Sequence, residues 1–312
     1  MQSTPLSEFH TARSEISSWE RLLRRRVAVI CLAFLVLMIL AATFGPWMTG
    51  YSYEQTSNQQ FSHPSHEHLF GTDLLGRDLL TRILHGARVS LLVGLIGTMV
   101  SLTVGVSYGM ISGYLGGRVD MVMMRFVDVL YSLPRLIFVI ILITVLDRYT
   151  RALFTRWEWE GMVTYTRMLL LFIGLGAMQW LTMSRIVRGQ VLSLKEQQFV
   201  LAAQSLGARQ SRILIHHLLP NLMGIIIVYL TLTIPETILL ESLLSFLGLG
   251  IQPPQASWGT LISEGAAAIN PVDIKWWLIV FPGAIMASTL LSLNLLGDHL
   301  RDILDPKMTK SS

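Results

Sequence analysis

Four charged side chains lie within or next to apolar stretches of the sequence, and they are the residues best placed to do chemistry. Asp128 and Arg135 interrupt one apolar run, and Glu236 and Glu241 follow another. A charge inside a membrane-spanning helix costs about 2.5–3.5 kcal/mol, so it normally faces protein or water. Asp128 and Arg135 are two helical turns apart and could either pair or line a pathway. The same alternatives apply to the two glutamates, whose chemistry would be the binding of opposite charges.

Other kinds of chemistry find little support in the sequence. His63, His66 and His68 lie close to Glu67, but neighbouring imidazoles in a polar loop need not converge on one ion, so we predict no metal site. The apolar runs contain no nucleophile–base pair, which argues against an intramembrane enzyme, and no catalytic residue is predicted. No G-x-x-x-x-G-K-[ST] loop is present to hold phosphates. The single cysteine, Cys31, excludes an intrachain disulfide.

The elements that position these residues follow from the uncharged runs. The chain has 312 residues, of which 52% are hydrophobic and 14% are charged. Soluble domains carry about 25% charged residues, and a helix needs about 20 apolar residues to cross the hydrocarbon core. The sequence therefore predicts an all-α integral membrane protein with six transmembrane helices, in the segments 27–50, 89–117, 126–146, 168–184, 213–235 and 276–297.

The distribution of Lys and Arg predicts the orientation. Lys and Arg are most frequent in the segments that lie on the same side of the membrane as the N-terminus. An excess of these residues marks the cytosolic side, so both termini are predicted to be cytosolic. The first run is too long for a cleaved signal peptide and should remain as an anchor. The arginines before it would meet anionic headgroups of membrane lipid. The predicted order is a cytosolic tail at 1–26, an anchor helix at 27–48, an outer loop at 49–88, a five-helix core at 89–297 with a cytosolic loop at 187–221, and a cytosolic tail at 298–312.

The cytosolic loop has an ordered pattern at 198–221. Phe199, Ala203 and Leu206 have the spacing of one helix face. Gly207 suits the position after a helix, where a positive φ is needed. We therefore predict a short helix, a glycine turn and a second helix. Such a segment could be an interfacial elbow between two spans or a surface that a partner protein grips, and the chain shows no energy source of its own.

Four motifs carry a resemblance to a known family. The chain is similar to membrane subunits of bacterial ABC importers in the oligopeptide, dipeptide and nickel group, and it most resembles the C-type permease of the oligopeptide system. The matching segments are H-x-x-G-T-D-x-x-G-R-D-x-x-x-R at 68–82, S-G-Y-L-G-G at 112–117, S-F-L-G-L-G-x-x-x-P-x-x-S-W-G in the stretch 245–259, and G-D-H-L-R-D-x-L-D-P at 297–306.

The resemblance implies the type I ABC importer permease fold and assigns the cytosolic loop a role. In this family the loop carries an E-A-A-x-x-x-G motif that docks onto an ATPase subunit. Carried over to this sequence, the motif occupies Leu201, Ala202, Ala203 and Gly207, with Pro220 near the end of the coupling segment. Leu201 replaces the family's glutamate, which removes a charge from the docking surface.

The resemblance also implies the partners and the cargo. We expect a heterodimer with a homologous B-type permease, two ATPase subunits that bind ATP and magnesium, and a binding protein on the outer, periplasmic side of a bacterial cytoplasmic membrane. The chain itself would hold no cofactor, bind no nucleic acid and catalyse no reaction. Oligopeptides are the expected cargo, and Glu241 could contact a peptide amino terminus; dipeptides, nickel chelates and antimicrobial peptides are alternative cargoes. A membrane scaffold or receptor subunit is the alternative outside transport.

Overall fold

The computed structural model describes residues 25–159 and 165–304, and these residues fold into helices joined by loops. The described helices are α1 (Arg26–Met48), α2 (Leu79–Leu115), α3 (Gly117–Tyr131), α4 (Arg135–Arg156), α5 (Thr166–Leu194), α6 (Gln198–Ser205), α7 (Leu219–Phe246), α8 (Trp258–Ala267) and α9 (Trp277–Leu304). A helical turn, Gln210–Arg212, and a π-helix, Ile213–Leu218, lead directly into α7.

The six predicted spans correspond to five long helical stretches and one pair of helices separated by a break. In the described chain, five helical stretches are long and apolar enough to cross a membrane: α1, α2, α5, α9 and the stretch Gln210–Phe246. A sixth span exists if α3 and α4 cross together, although they are bent by 87°. The span predicted at 126–146 is therefore not one continuous helix. Pro134 explains the break, because a proline disfavours the helical conformation of the residue before it and donates no backbone hydrogen bond.

Several helices extend beyond the uncharged runs. Helix α2 begins at Leu79, inside the predicted outer loop, because the Asp78 carboxylate accepts a 2.8 Å hydrogen bond from the Thr81 backbone N–H and caps the helix. Helix α9 continues to Leu304, inside the predicted tail, and α8 lies between the last two predicted spans. Helices extend past the hydrocarbon where charged side chains meet water, so an uncharged run marks the span and not the helix ends.

Helices α2 and α5 lie side by side and run in the same direction. A Cβ on Gly105 would lie 2.6 Å from the Met183 Cβ, and a Cβ on Gly109 would lie 2.5 Å from the Ser184 carbonyl oxygen. Gly113 approaches Arg188 in the same way further along. Glycines at a spacing of four thus form a small-residue face that lets the two backbones come close.

The other helices surround this pair. Helix α7 runs antiparallel to α2, since Gly94 meets Ile238 while Ser90 reaches Glu241 further along α7. Helix α1 is tied to α2 by the Arg88 guanidinium, which donates to the Ala42 carbonyl at 3.2 Å and the Thr43 carbonyl at 2.8 Å. The Ala42 carbonyl is available because Pro46, four residues later, has no N–H to donate.

Candidate functional site

The segment between α5 and the π-helix projects from one end of the bundle, and we call residues 198–212 the knob. It contains α6, a turn and the Gln210–Arg212 helical turn. Gly207 has φ +75°, as predicted for the residue after the helix. Its N–H donates to the Gln204 carbonyl at 2.9 Å, and the Ala208 N–H donates to the Ala203 carbonyl at 3.0 Å. This pair of bonds is a Schellman motif, which ends α6 and turns the chain sharply.

The knob has a buried base and an exposed apolar surface. Val200 is fully buried and Ala203 is 8% exposed, and both pack among the neighbouring ends of α5 and α7. Leu206 is 88% exposed and Leu201 is 48% exposed, while Phe199 is also exposed. The predicted single face of Phe199, Ala203 and Leu206 is therefore wrong, because Ala203 points into the bundle and the other two point out. Exposed apolar side chains on a rigid projection are typical of a protein-binding surface.

A π-helical segment connects the knob to α7. It spans Ile213–Leu218, and Pro220 lies in the first turn of α7. Pro220 cannot donate to the carbonyl four residues earlier, which disturbs the regular hydrogen-bond ladder. The Asn221 side-chain amide instead donates to the His217 carbonyl at 2.6 Å. The knob is thereby attached to a spanning helix through an irregular turn, a feature that is frequent at functional sites.

Two ion pairs on the surface of the bundle contain three of the four charges singled out in the sequence. Asp128 on α3 accepts a hydrogen bond from Arg185 on α5 at 2.6 Å, and Arg135 on α4 pairs with Glu236 on α7. The interpretation that Asp128 and Arg135 pair with each other is wrong, because the break at Pro134 takes them off a common helix face. We call Asp128, Arg135, Arg185 and Glu236 the charged strip.

The charged strip lies between the knob and the opposite end of the bundle. Tyr131, at the end of α3, approaches the Thr182 hydroxyl at 3.4 Å, and the Tyr229 hydroxyl on α7 donates to the Gln179 carbonyl at 3.3 Å. Helix α5 extends from 166 to 194, so both contacts are close to its midpoint. The α3–α4 break therefore lies at this level of the bundle.

Two other carboxylates within the helices are enclosed by partners. Glu241 is fully buried, and its oxygens accept from the Ser245 hydroxyl at 2.6 Å and the Ser90 hydroxyl at 3.2 Å. Asp120 at the start of α3 is held by both guanidinium nitrogens of Arg188 and by Ser112. In this conformation both carboxylates join neighbouring helices and neither is open to a substrate.

At the end opposite the knob, a buried charge network fixes the loop that precedes α2. Arg82 is 2% exposed and donates to the Asp73 carboxylate at 2.6 Å and to the Glu264 carboxylate of α8 at 3.0 Å. His68 contacts the Asp78 carboxylate at 2.9 Å, whereas His63 packs against Trp277 with tilted rings whose centroids are 4.5 Å apart. These histidines thus have different partners, and no set of three metal-ligating side chains comes together in the described part of the chain.

A cavity of about 700 Å³ opens at the same end, beside α1, α2 and α5. Its wall includes Tyr53, which stacks on His85 with ring centroids 3.7 Å apart, and Gln255, which contacts both side chains. Burial, followed by the nearby Glu54, raises the pKa of the Tyr53 hydroxyl to about 12. The hydroxyl therefore stays protonated at neutral pH and can donate as well as accept hydrogen bonds.

Comparison with known proteins identifies the class to which this bundle and its knob belong. Residues 105–310 match the family of inner membrane components of binding-protein-dependent transport systems, and the chain belongs to that family. Residues 17–65 match the N-terminal transmembrane domain of oligopeptide transport permease C. The chain is therefore a multi-pass membrane subunit of a transport system.

Individual relatives cover nearly the whole chain. The oligopeptide transport system permease protein OppC of Haemophilus influenzae is 44% identical over 92% of this chain and 86% of its own length. OppC of Bacillus subtilis is 40% identical over 99% of this chain and its entire length. The dipeptide transport system permease protein DppC of Bacillus subtilis is 42% identical over 94% of this chain and 86% of its own length.

The sequence interpretation missed the basic partners of the acidic residues. Arg185 and Arg188 were not among the candidate residues, although Arg185 directly follows the uncharged run 168–184. Arg185 could have been identified from the sequence, because it is a basic residue directly after that run. It also lies on the helix that packs against the small-residue face of α2. Leu201, Ala202, Ala203 and Gly207 lie together on the knob, whereas Glu241 lies apart from Glu236 in the buried contact with α2.

Proposed function

We propose that this chain forms one half of the translocation pathway of an ATP-driven oligopeptide importer in the bacterial cytoplasmic membrane. The other half would be a homologous B-type permease. Two ATPase subunits would bind ATP and magnesium on the cytosolic side, and a binding protein would deliver cargo on the periplasmic side. The motif resemblance and the 40–44% identity to OppC proteins support this assignment.

The mechanism would be alternating access. ATP binding closes the ATPase pair, the knob moves with the ATPase that holds it, and the spanning helices rock to open outward. Hydrolysis reverses the movement, and cargo leaves on the cytosolic side. ATP can shift this equilibrium only through its different affinities for the two states. A permease that contains no phosphate-binding loop must receive this energy through contact with its partner.

The observation that carries the proposal is the knob with its buried base and exposed apolar surface. Val200 and Ala203 fix it to the ends of two spanning helices, so a force on the knob reaches those helices. Leu201, in the position of the family's glutamate, adds to an apolar surface that also includes Leu206. We propose that the ATPase contact of this chain is dominated by apolar packing. A return to glutamate at position 201 should then be tolerated.

The substrate pathway would follow the face that carries exposed charge. We propose that Asp128, Arg135 and Glu236 line it in this conformation. Glu241 is enclosed by serine hydroxyls, and it would join the pathway only after α2 and α7 separate. We separate Glu241 from the other three residues by exposure. A buried carboxylate whose oxygens already accept hydrogen bonds cannot bind a passing ligand.

The test of the proposed function uses the assembled complex in proteoliposomes. Ala202 is exposed on the knob, so Ala202→Trp adds bulk to the docking surface without disturbing the bundle. We expect this variant to lose the ATPase subunits on purification and to lose peptide-stimulated ATP hydrolysis. Ala152→Trp, on an exposed face of α4 far from the knob, is the matched control and should retain both. Undiminished co-purification of the Ala202 variant would refute the docking role, and the absence of peptide uptake by the wild-type complex would refute the cargo.

Dipeptides are the second candidate cargo. The identity to the dipeptide permease of Bacillus subtilis, 42%, lies within the range of the oligopeptide permeases. Sequence identity thus does not separate the two cargoes. Competition between a dipeptide and a pentapeptide for uptake by the same proteoliposomes would distinguish them.

A further inference from the structure

The charged strip is exposed at a depth where exposure to lipid is costly. Exposed fractions of the side chains are 61% for Asp128, 41% for Arg185, 46% for Glu236 and 33% for Arg135. Each charge in contact with lipid near the centre of a bilayer would cost about 2.5–3.5 kcal/mol. This face of the bundle must therefore be covered by protein or by water, and in the proposed importer it would line the water-filled translocation pathway.

Within each pair, the carboxylate is the more available group. Arg185 donates to one Asp128 oxygen and also stacks on the Tyr131 ring, 4.2 Å from its centroid. Arg135 contacts one oxygen of Glu236. The second oxygen of each carboxylate has no hydrogen-bond partner among the described residues. The acidic member is also more exposed than the arginine in both pairs.

The other carboxylates at the helix interfaces are different. Both oxygens of Asp120 are taken by Arg188, with Ser112 as a further donor, and both oxygens of Glu241 accept from serine hydroxyls. Those two groups are satisfied and enclosed, as structural carboxylates usually are. Asp128 and Glu236 each keep a free acceptor at an exposed surface, which is the arrangement that a cationic ligand requires.

We infer that Asp128 and Glu236 offer two successive contacts for the free amino terminus of the peptide as it passes along this face of the bundle. The ammonium group is a main-chain feature of every unblocked peptide, so this contact would be independent of side-chain sequence. The neighbouring arginines hold the carboxylates in place and keep the strip neutral when no peptide is present. This inference rests on the proposed function and adds the chemical group that the permease itself recognises.

The experiment compares two forms of one peptide, with a free or an acetylated amino terminus, in proteoliposomes that contain the full importer. Both are supplied at concentrations that saturate the binding protein, and uptake is expressed per assembled complex. In Asp128→Asn/Glu236→Gln, we expect uptake of the free peptide to fall about tenfold, the effect of losing a charge-assisted contact, while uptake of the acetylated peptide changes less than about twofold. The binding protein is the same in every sample, so its own preference cancels when each variant is compared with the wild type.

Three further samples make the result decisive. Glu236→Asp keeps the charge and should retain most of the preference for the free peptide. Asp302→Asn removes a comparably exposed ion pair with Arg25 at the knob end and should leave both uptakes unchanged. If the double variant does not assemble, Asp128→Asn alone should show the same selective loss at a smaller size.

The possible outcomes separate the two levels of the argument. An equal loss for both peptides, or no loss for either, would overturn the inference, since the strip would then be a structural contact or irrelevant to transport. A wild-type complex that imports neither peptide would instead overturn the proposed function.

Discussion

Gly207 determines where α6 ends and how the knob is presented. Its φ of +75° lies in the left-handed region, and no neighbouring atom lies within 4 Å of a Cβ built on it. The backbone conformation, and not a lack of space, therefore requires glycine at this position. Leu201, earlier on α6, is less constrained, because its side chain is exposed and is not packed in the bundle.

Gly207→Val should weaken peptide-stimulated ATP hydrolysis and the transport that depends on it. A left-handed conformation costs an L-residue about 1–2 kcal/mol, so the turn would open and peptide-stimulated ATP hydrolysis should fall about fivefold or more. Gly224→Val is the matched control, because Gly224 lies in a regular part of α7 and also has no atom within 4 Å of a built Cβ. Both variants should insert into the membrane at wild-type levels. Normal coupling in Gly207→Val would show that the turn is not needed.

The sequence could predict the spans and the knob because each rests on local rules. An uncharged run of sufficient length has few alternatives in lipid, and Gly207 follows its helix directly. The ion pairs could not be predicted in this way, because they depend on how distant helices lie against each other. Asp128 and Arg185 are 57 residues apart, and Arg135 and Glu236 are 101 residues apart. The prediction failed at Pro134 because hydrophobicity alone does not report a bend.

The contact between α2 and α5 makes a prediction about packing. In Gly109→Ala the new methyl group would lie 2.5 Å from the Ser184 carbonyl oxygen, and a backbone atom cannot move aside as a flexible side chain can. We expect an overpacking cost of about 1–3 kcal/mol, measured as a lower midpoint of thermal unfolding in detergent. Gly189→Ala, on an exposed part of α5, should raise the midpoint instead, because alanine favours a helix over glycine by about 0.5–1 kcal/mol. Equal shifts in both variants would contradict the close approach of the two helices.

The whole bundle is organised along one axis, with the knob at one end and the Arg82 charge network at the other. The charged strip lies between them, at the break of α3 and α4. The hydrophobic cluster that contains Val200 and Ala203 also includes residues of α2, α5 and α7. A movement of the knob is therefore transmitted through packed side chains to the helices that carry Arg185 and Glu236. This continuity would be the physical basis for the proposed coupling of an ATPase at one end to a substrate contact on the charged strip.

Thiol labelling would test how this axis is oriented in the membrane. In a Cys31→Ala background, which removes the single native cysteine, we place a thiol at the knob with Leu206→Cys or at the opposite end with Val272→Cys; the native side chains are 88% and 93% exposed. A membrane-impermeant maleimide should label position 272 in right-side-out vesicles and position 206 only in inverted vesicles, as the distribution of Lys and Arg predicts. Val200→Cys, at a fully buried position, is the control that should stay unlabelled in both. Labelling of position 206 in right-side-out vesicles would place the knob outside, where it could not receive force from a cytosolic ATPase.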